Sequence, residues 1–170
     1  MALCVAMLAT VTPIFASAES ETYLDYNVTT RKTDVECTVT GVNVIDEATD
    51  SFVTGWNIVK GDVEIESRIE LPKNVRLILA NGATLTADKG IAVAEDGNFL
   101  VYAQSNDADT MGKLIVPGAD TGYAGIGSGN MGDCGDITIY GGIVTATNGE
   151  NGAGIGGGLM SDWSRGSKRN

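Results

Sequence analysis

Ala124-Gly125-Ile126-Gly127-Ser128-Gly129 returns as Ala153-Gly154-Ile155-Gly156-Gly157-Gly158, a shift of 29 residues. The same shift lays Leu114-Ile115 on Ile143-Val144, so two features agree on one period. Upstream the period shortens: Val63 to Leu85 and Ile69 to Ile91 span 22 residues, and Leu77 to Leu100 spans 23. Gly90-Ile91 then takes the role of Gly125-Ile126 and Gly154-Ile155. A polar insert, Gln104–Gly112, lengthens the step into the third unit. Self-similarity at a period of about 20–50 residues marks repeat architectures, in which each unit stacks on the one before.

Short strand-like runs such as Val75–Leu79, Phe99–Tyr102 and Ile143–Ala146 alternate with Asn81-Gly82, Asp96-Gly97 and Gly141-Gly142. Those pairs are turn punctuation, and after residue 18 no stretch carries helical apolar spacing. The spacing therefore predicts an all-β fold, a right-handed parallel β-helix (β-solenoid) of about four coils over residues 55–158, its hand given by the crossover rule. The coils centre on 63/69/77, 85/91/100, 115/126/137 and 144/155. Leu77, Leu85, Ile91, Leu100, Ile126, Ile137, Val144 and Ile155 are expected to point inward. A meander of antiparallel hairpins explains the short strands but not the recurrence of Gly-Ile in three units. Residues 19–54, rich in β-branched side chains, read as a short N-terminal β segment and cap. The shift of 29 puts the third strand of the last coil on Gly166-Ser167-Lys168, which holds no apolar residue. Residues 159–170 are accordingly expected to be a disordered or truncated tail, and the chain a fragment of a larger array.

The segment 1–18 is apolar, uncharged and closed by Ala16-Ser17-Ala18, the small residues a signal peptidase admits. It reads as a signal peptide, with the mature chain starting near Glu19 and exported. Eleven Lys and Arg against 22 Asp and Glu leave a net charge of −11, which argues against nucleic acid and against membrane insertion of the mature chain. Histidine is absent, which removes His-dependent triads and His-containing metal sites. Glycine, at 23 of 170 residues, is roughly twice its usual share of about 7%. Outside the leader stand two cysteines, Cys37 and Cys134; their spacing fits no close staple and leaves open whether they pair, two separate small hydrophobes being the favoured reading.

A resemblance joins these features. Gly55-Trp56-Asn57-Ile58-Val59-Lys60-Gly61-Asp62-Val63, Arg68-Ile69, Leu77–Ala87, Lys89-Gly90-Ile91 and Leu100–Ser105 resemble a family of large, glycine-rich bacterial surface proteins. The AGIGGG-type repeats, joined by Ile137-Thr138-Ile139-Tyr140-Gly141-Gly142-Ile143-Val144-Thr145-Ala146-Thr147, continue the match, which runs from about Tyr23 to Gly158. The resemblance implies a secreted or wall-attached β-solenoid of an anaerobic, gut-type bacterium, adhesin-like or carbohydrate-binding. It carries over no catalytic residues.

The function expected from this is a non-catalytic module for adhesion, glycan contact or a structural stalk. Its partner would be a glycan or a host or bacterial surface ligand, with end-to-end self-association through an open coil. Tyr123, Tyr140 and Asp120 are the candidate carbohydrate-binding residues: aromatic faces suit pyranose CH groups, and a carboxylate satisfies edge hydroxyls. Trp56 is assigned to covering the N-terminal end of the core. The alternative is a polysaccharide-cleaving β-helix enzyme, lyase or hydrolase, using the charged turn Asp88, Lys89, Glu95 and Asp96. No cofactor is expected; calcium on the loop carboxylates Asp107, Asp109, Asp120, Asp133 and Asp136 is the weaker reading, because the calcium-repeat pattern is not reproduced. The glycine runs lack the Lys-Ser/Thr and following helix of a phosphate cradle.

Overall fold

A computed structural model of the chain describes residues 19–47 and 51–159, and the expected leader lies outside them. Every regular element among these residues is a strand. β1 (Ser20–Asn27) and β2 (Lys32–Thr40) form an antiparallel hairpin with a slip in register between Asp25 and Tyr26. β3 (Asn43–Ile45) follows, and from there every pairing is parallel.

β4 (Gly55–Val59), β5 (Asp62–Ile65) and β6 (Ile69–Glu70) found three separate sheets. The chain then visits the sheets in the same rotation: β7 (Val75–Leu79), β8 (Thr84–Ala87), β9 (Ile91–Ala92); β10 (Asn98–Ala103), β11 (Lys113–Val116), β12 (Ile126–Gly127); β13 (Asp136–Ile139), β14 (Ile143–Ala146), β15 (Ile155–Gly156). The resulting sheet orders are β13-β10-β7-β4-β3, β14-β11-β8-β5 and β15-β12-β9-β6. Parallel strands need a crossover, and from β4 onward each crossover is made of the two intervening strands rather than a helix.

One aliphatic cluster draws on all three sheets, with Leu77, Leu85, Ile91, Val101, Leu114 and Ile126 buried in it. The stacking is by identity of role: Ile69, Ile91, Ile126 and Ile155 align in one column, and Val63, Leu85, Leu114 and Val144 in another. At the N-terminal end Asn57 is fully buried, yet its amide is satisfied. Asn57 Nδ2 donates to the Val53 and Gly55 carbonyls, while Oδ1 accepts from Val53 N–H and Asn43 Nδ2 at 3.0 Å. A buried amide with its bonds made costs little and pins the loop that feeds β4.

Two register expectations are corrected. Leu77 aligns with Val101, not Leu100, so Leu100 turns to the outer face; Leu114 aligns with Val144, so the step there is 30 residues. Of the other residues expected inward, Leu77, Leu85, Ile91 and Ile126 are buried, Ile137 and Val144 are half-buried against the core, and Ile155 is exposed. Of the expected tail, only Leu159 lies within the described residues, and its N–H donates to Gly122 O at 2.7 Å.

The middle strands of the first sheet, β4, β7 and β10, bury residues on both faces, as strands covered on both sides should. Its outer face packs Ile58, Ile78, Leu100 and Tyr102 under Tyr23 and Val39 of the hairpin. The second sheet alternates, as in Thr84-Leu85-Thr86-Ala87, and leaves one face to solvent.

Candidate functional site

Three places on the surface concentrate polar or aromatic chemistry. The first is the aromatic seam between hairpin and outer sheet face. Adjacent parallel strands lie about 4.8 Å apart, so equivalent side chains on neighbouring strands stack. Tyr102 at the end of β10 and Tyr140 just past β13 do so, with ring centroids 5.0 Å apart and nearly parallel planes. Tyr23 meets Tyr102 edge-on at 4.9 Å and Trp56 at 4.5 Å; Tyr26 lies against Tyr140, and Arg76 sits over the Trp56 ring. Thr33 of the hairpin donates its hydroxyl to Tyr140 O at 2.8 Å. Burial pushes the Tyr102 phenol up to about 12, with the Asp25 carboxylate adding to it. Trp56 thus packs under the hairpin, in this seam.

The second place is the corner ahead of the third sheet. Where later units carry Gly90, Gly125 and Gly154 before the isoleucine, the first carries Arg68. Its side chain runs across the stack: Nη1 donates to Lys89 O and Ala124 O at 3.1 Å, and Nη2 to Gly127 O at 3.3 Å. A Cβ on Gly90 would meet Gly125 O at 2.6 Å and Arg68 Nη1 at 2.7 Å, so glycine there admits both the next unit's backbone and the guanidinium. The guanidinium lies 4.9 Å from the Tyr123 ring centre, and burial lowers its pKa while Glu70, 4.0 Å from Nε, opposes that. Asp120 stands on the same corner, its carbonyl accepting from Tyr123 N–H at 2.9 Å and its carboxylate 3.7 Å from Lys89 Nζ.

The candidate carbohydrate residues therefore divide. Asp120 and Tyr123 share the corner, with Arg68 laid over the tyrosine; Tyr140 belongs to the aromatic seam. The charged turn Asp88–Asp96 divides as well: Lys89 turns to Asp120, and Asp96 is ion-paired with exposed Lys73, which holds the Asp96 carboxyl below the usual range.

The third place is an open depression of about 510 Å³ beside β5 and β8, lined by Glu47, Asp62, Val63, Glu64, Thr84 and Thr86. Sequence reasoning missed it because Glu47 is remote in sequence and is brought there by β3. Nearby, Lys60 is bound by Glu21 at 2.6 Å, a hydrogen bond that raises its pKa. Among the described residues no group of three His, Cys, Asp or Glu side chains could hold a metal ion. Cys37 and Cys134 are unpaired thiols, and burial raises the pKa of Cys134.

Comparison with family models, with curated proteins and with solved structures finds no match to this chain.

Proposed function

We propose that residues 55–158 form a right-handed parallel β-helix of about four coils. We propose further that the chain is a secreted or cell-surface module, non-catalytic, that works as a rigid spacer and contact surface in adhesion or glycan binding. The observation that carries this reading is the rotation of the chain through three parallel sheets about one aliphatic core. Such stacking makes a stiff rod whose length grows coil by coil and whose outer faces are free to vary. Arg68 is engaged across the stack and Lys60 on the hairpin, both in contacts that hold the structure together. The contact surface of this reading is the corner of Asp120 and Tyr123.

A polysaccharide-cleaving activity is the second reading, favoured by the carboxylates of Glu47, Asp62 and Glu64 around one depression. A glycan array combined with a reducing-end release assay separates the two. The module reading expects binding without release, weakened in Asp120→Ala. Release of sugar ends that disappears in Glu64→Gln establishes the enzyme instead.

A further inference from the structure

The hairpin carries a feature that neither the core nor the candidate contact surface uses. Its turn reads Asn27-Val28-Thr29, an Asn-x-Thr acceptor tripeptide, and no other Asn in the chain is followed two residues on by Ser or Thr. β1 ends at Asn27 and β2 begins at Lys32, so the tripeptide opens the loop. Arg31 N–H closes the loop on Asn27 O at 2.8 Å, with Arg31 itself left-handed at φ 58°. Val28 is 81% exposed, and Thr29 is exposed beside it.

The side-chain geometry is specific. Asn27 Oδ1 accepts from Thr29 N–H at 3.0 Å and Thr30 N–H at 3.1 Å. Both bonds engage the oxygen, so the amide nitrogen is the free end of the group. Polarising the carboxamide through its oxygen also makes its N–H more acidic. Asp25 stands two positions ahead and accepts from Tyr26 N–H.

We propose that Asn27 is an acceptor for N-linked glycosylation, the donor being an oligosaccharide on a lipid pyrophosphate. Asn27 Nδ2 attacks the anomeric carbon of the first sugar, forming the C–N bond. The bond from that carbon to the pyrophosphate oxygen breaks, the lipid pyrophosphate leaves with the electron pair, and Nδ2 gives up one proton, which ends on the departing pyrophosphate or on solvent. The glycan then stands on the hairpin tip, on exposed backbone remote in sequence from Asp120 and Tyr123. In the cell this modification depends on export, as proposed above.

The folded full chain is incubated with an oligosaccharyltransferase and a lipid-pyrophosphate oligosaccharide, and site occupancy is read by peptide mass spectrometry. The expected result is transfer to Asn27 in the wild type and in Thr29→Ser, at least tenfold lower in Asn27→Gln and Thr29→Ala. Circular dichroism of the variants checks that folding is unchanged. Absence of transfer to the folded wild type overturns the proposal, as does transfer undiminished by Asn27→Gln. Because transfer is supplied in the tube, failure of export is scored separately, by absence of the chain from the extracellular fraction.

Discussion

The same four residues, Ala-Gly-Ile-Gly, occur at 124–127 and 153–156 and fold the same way. Both final glycines have positive φ, 140° at Gly127 and 123° at Gly156, and Ala124 and Ala153 close equivalent turns. Ile126 and Ile155 are directly paired. Yet Ile126 is 1% exposed and Ile155 is 44% exposed. The difference lies in the neighbours: β12 is flanked by β9 and β15, whereas β15 has one partner among the described residues. Burial in this molecule is a property of position in the stack, not of the local sequence, which is what nearest-neighbour stability means for stacked parallel strands.

Substitutions at the paired positions break or sharpen that comparison. Ile126→Ala should lose about 2–5 kcal/mol, as for a fully buried aliphatic side chain, while Ile155→Ala should lose only about 1 kcal/mol. Urea midpoints of the two variants check it, and equal losses would mean the stack does not shelter Ile126.

Gly127→Ala comes next. A Cβ there meets Gly156 O at 1.9 Å, while at Gly156 the nearest contact is Ala153 Cβ at 4.0 Å. Backbone strain is common to both, but overpacking is added only at Gly127, so roughly 3 kcal/mol is expected there against roughly 1–2 at Gly156. Thermal melts of the two variants would rank them.

A smaller effect contrasts the inner column with the outer seam. Tyr102 has its folded pKa raised to about 12 from an ordinary 10, so the neutral phenol is the form the fold prefers. Its contribution is present below pH 10 and lost as pH rises towards 12, on the order of 2 kcal/mol. Tyr102→Phe should flatten that part of a stability profile recorded from pH 8 to 11.5. An unchanged slope would assign the loss to other groups. Smallest of all, Asp96→Asn removes an exposed ion pair with Lys73 and should leave the urea midpoint unchanged.

Much of this was legible in the chain. The Gly-Ile recurrence marks the third sheet at Ile91, Ile126 and Ile155, and the spacing of 22 residues pairs Val63 with Leu85 correctly. The errors are slips of one residue, at Leu100 and at Leu114. In a strand one residue is the difference between faces, and the connections here vary in length enough to hide it. The apolar runs Leu77–Ala80 and Phe99–Ala103 did hold a further signal, since strands without alternation are covered on both faces. What covers them, the hairpin with Tyr23, is a long-range contact with no local signature. Arg68 was legible only as the place where the Gly-Ile pattern is broken, and the depression at Glu64 not at all.

The central claim, parallel stacking in this register, is tested most directly by cysteine pairs across β8 and β11. Thr84 faces Lys113 and Thr86 faces Ile115. Neighbouring strands at about 4.8 Å lie within the Cα range of a disulfide, about 4.4–6.8 Å. With Cys4, Cys37 and Cys134 replaced by serine, mild oxidation should cross-link Thr84→Cys with Lys113→Cys, and Thr86→Cys with Ile115→Cys. Cross-linking instead of the swapped pairs, 84 with 115 and 86 with 113, would mean the strands run antiparallel and would contradict the account.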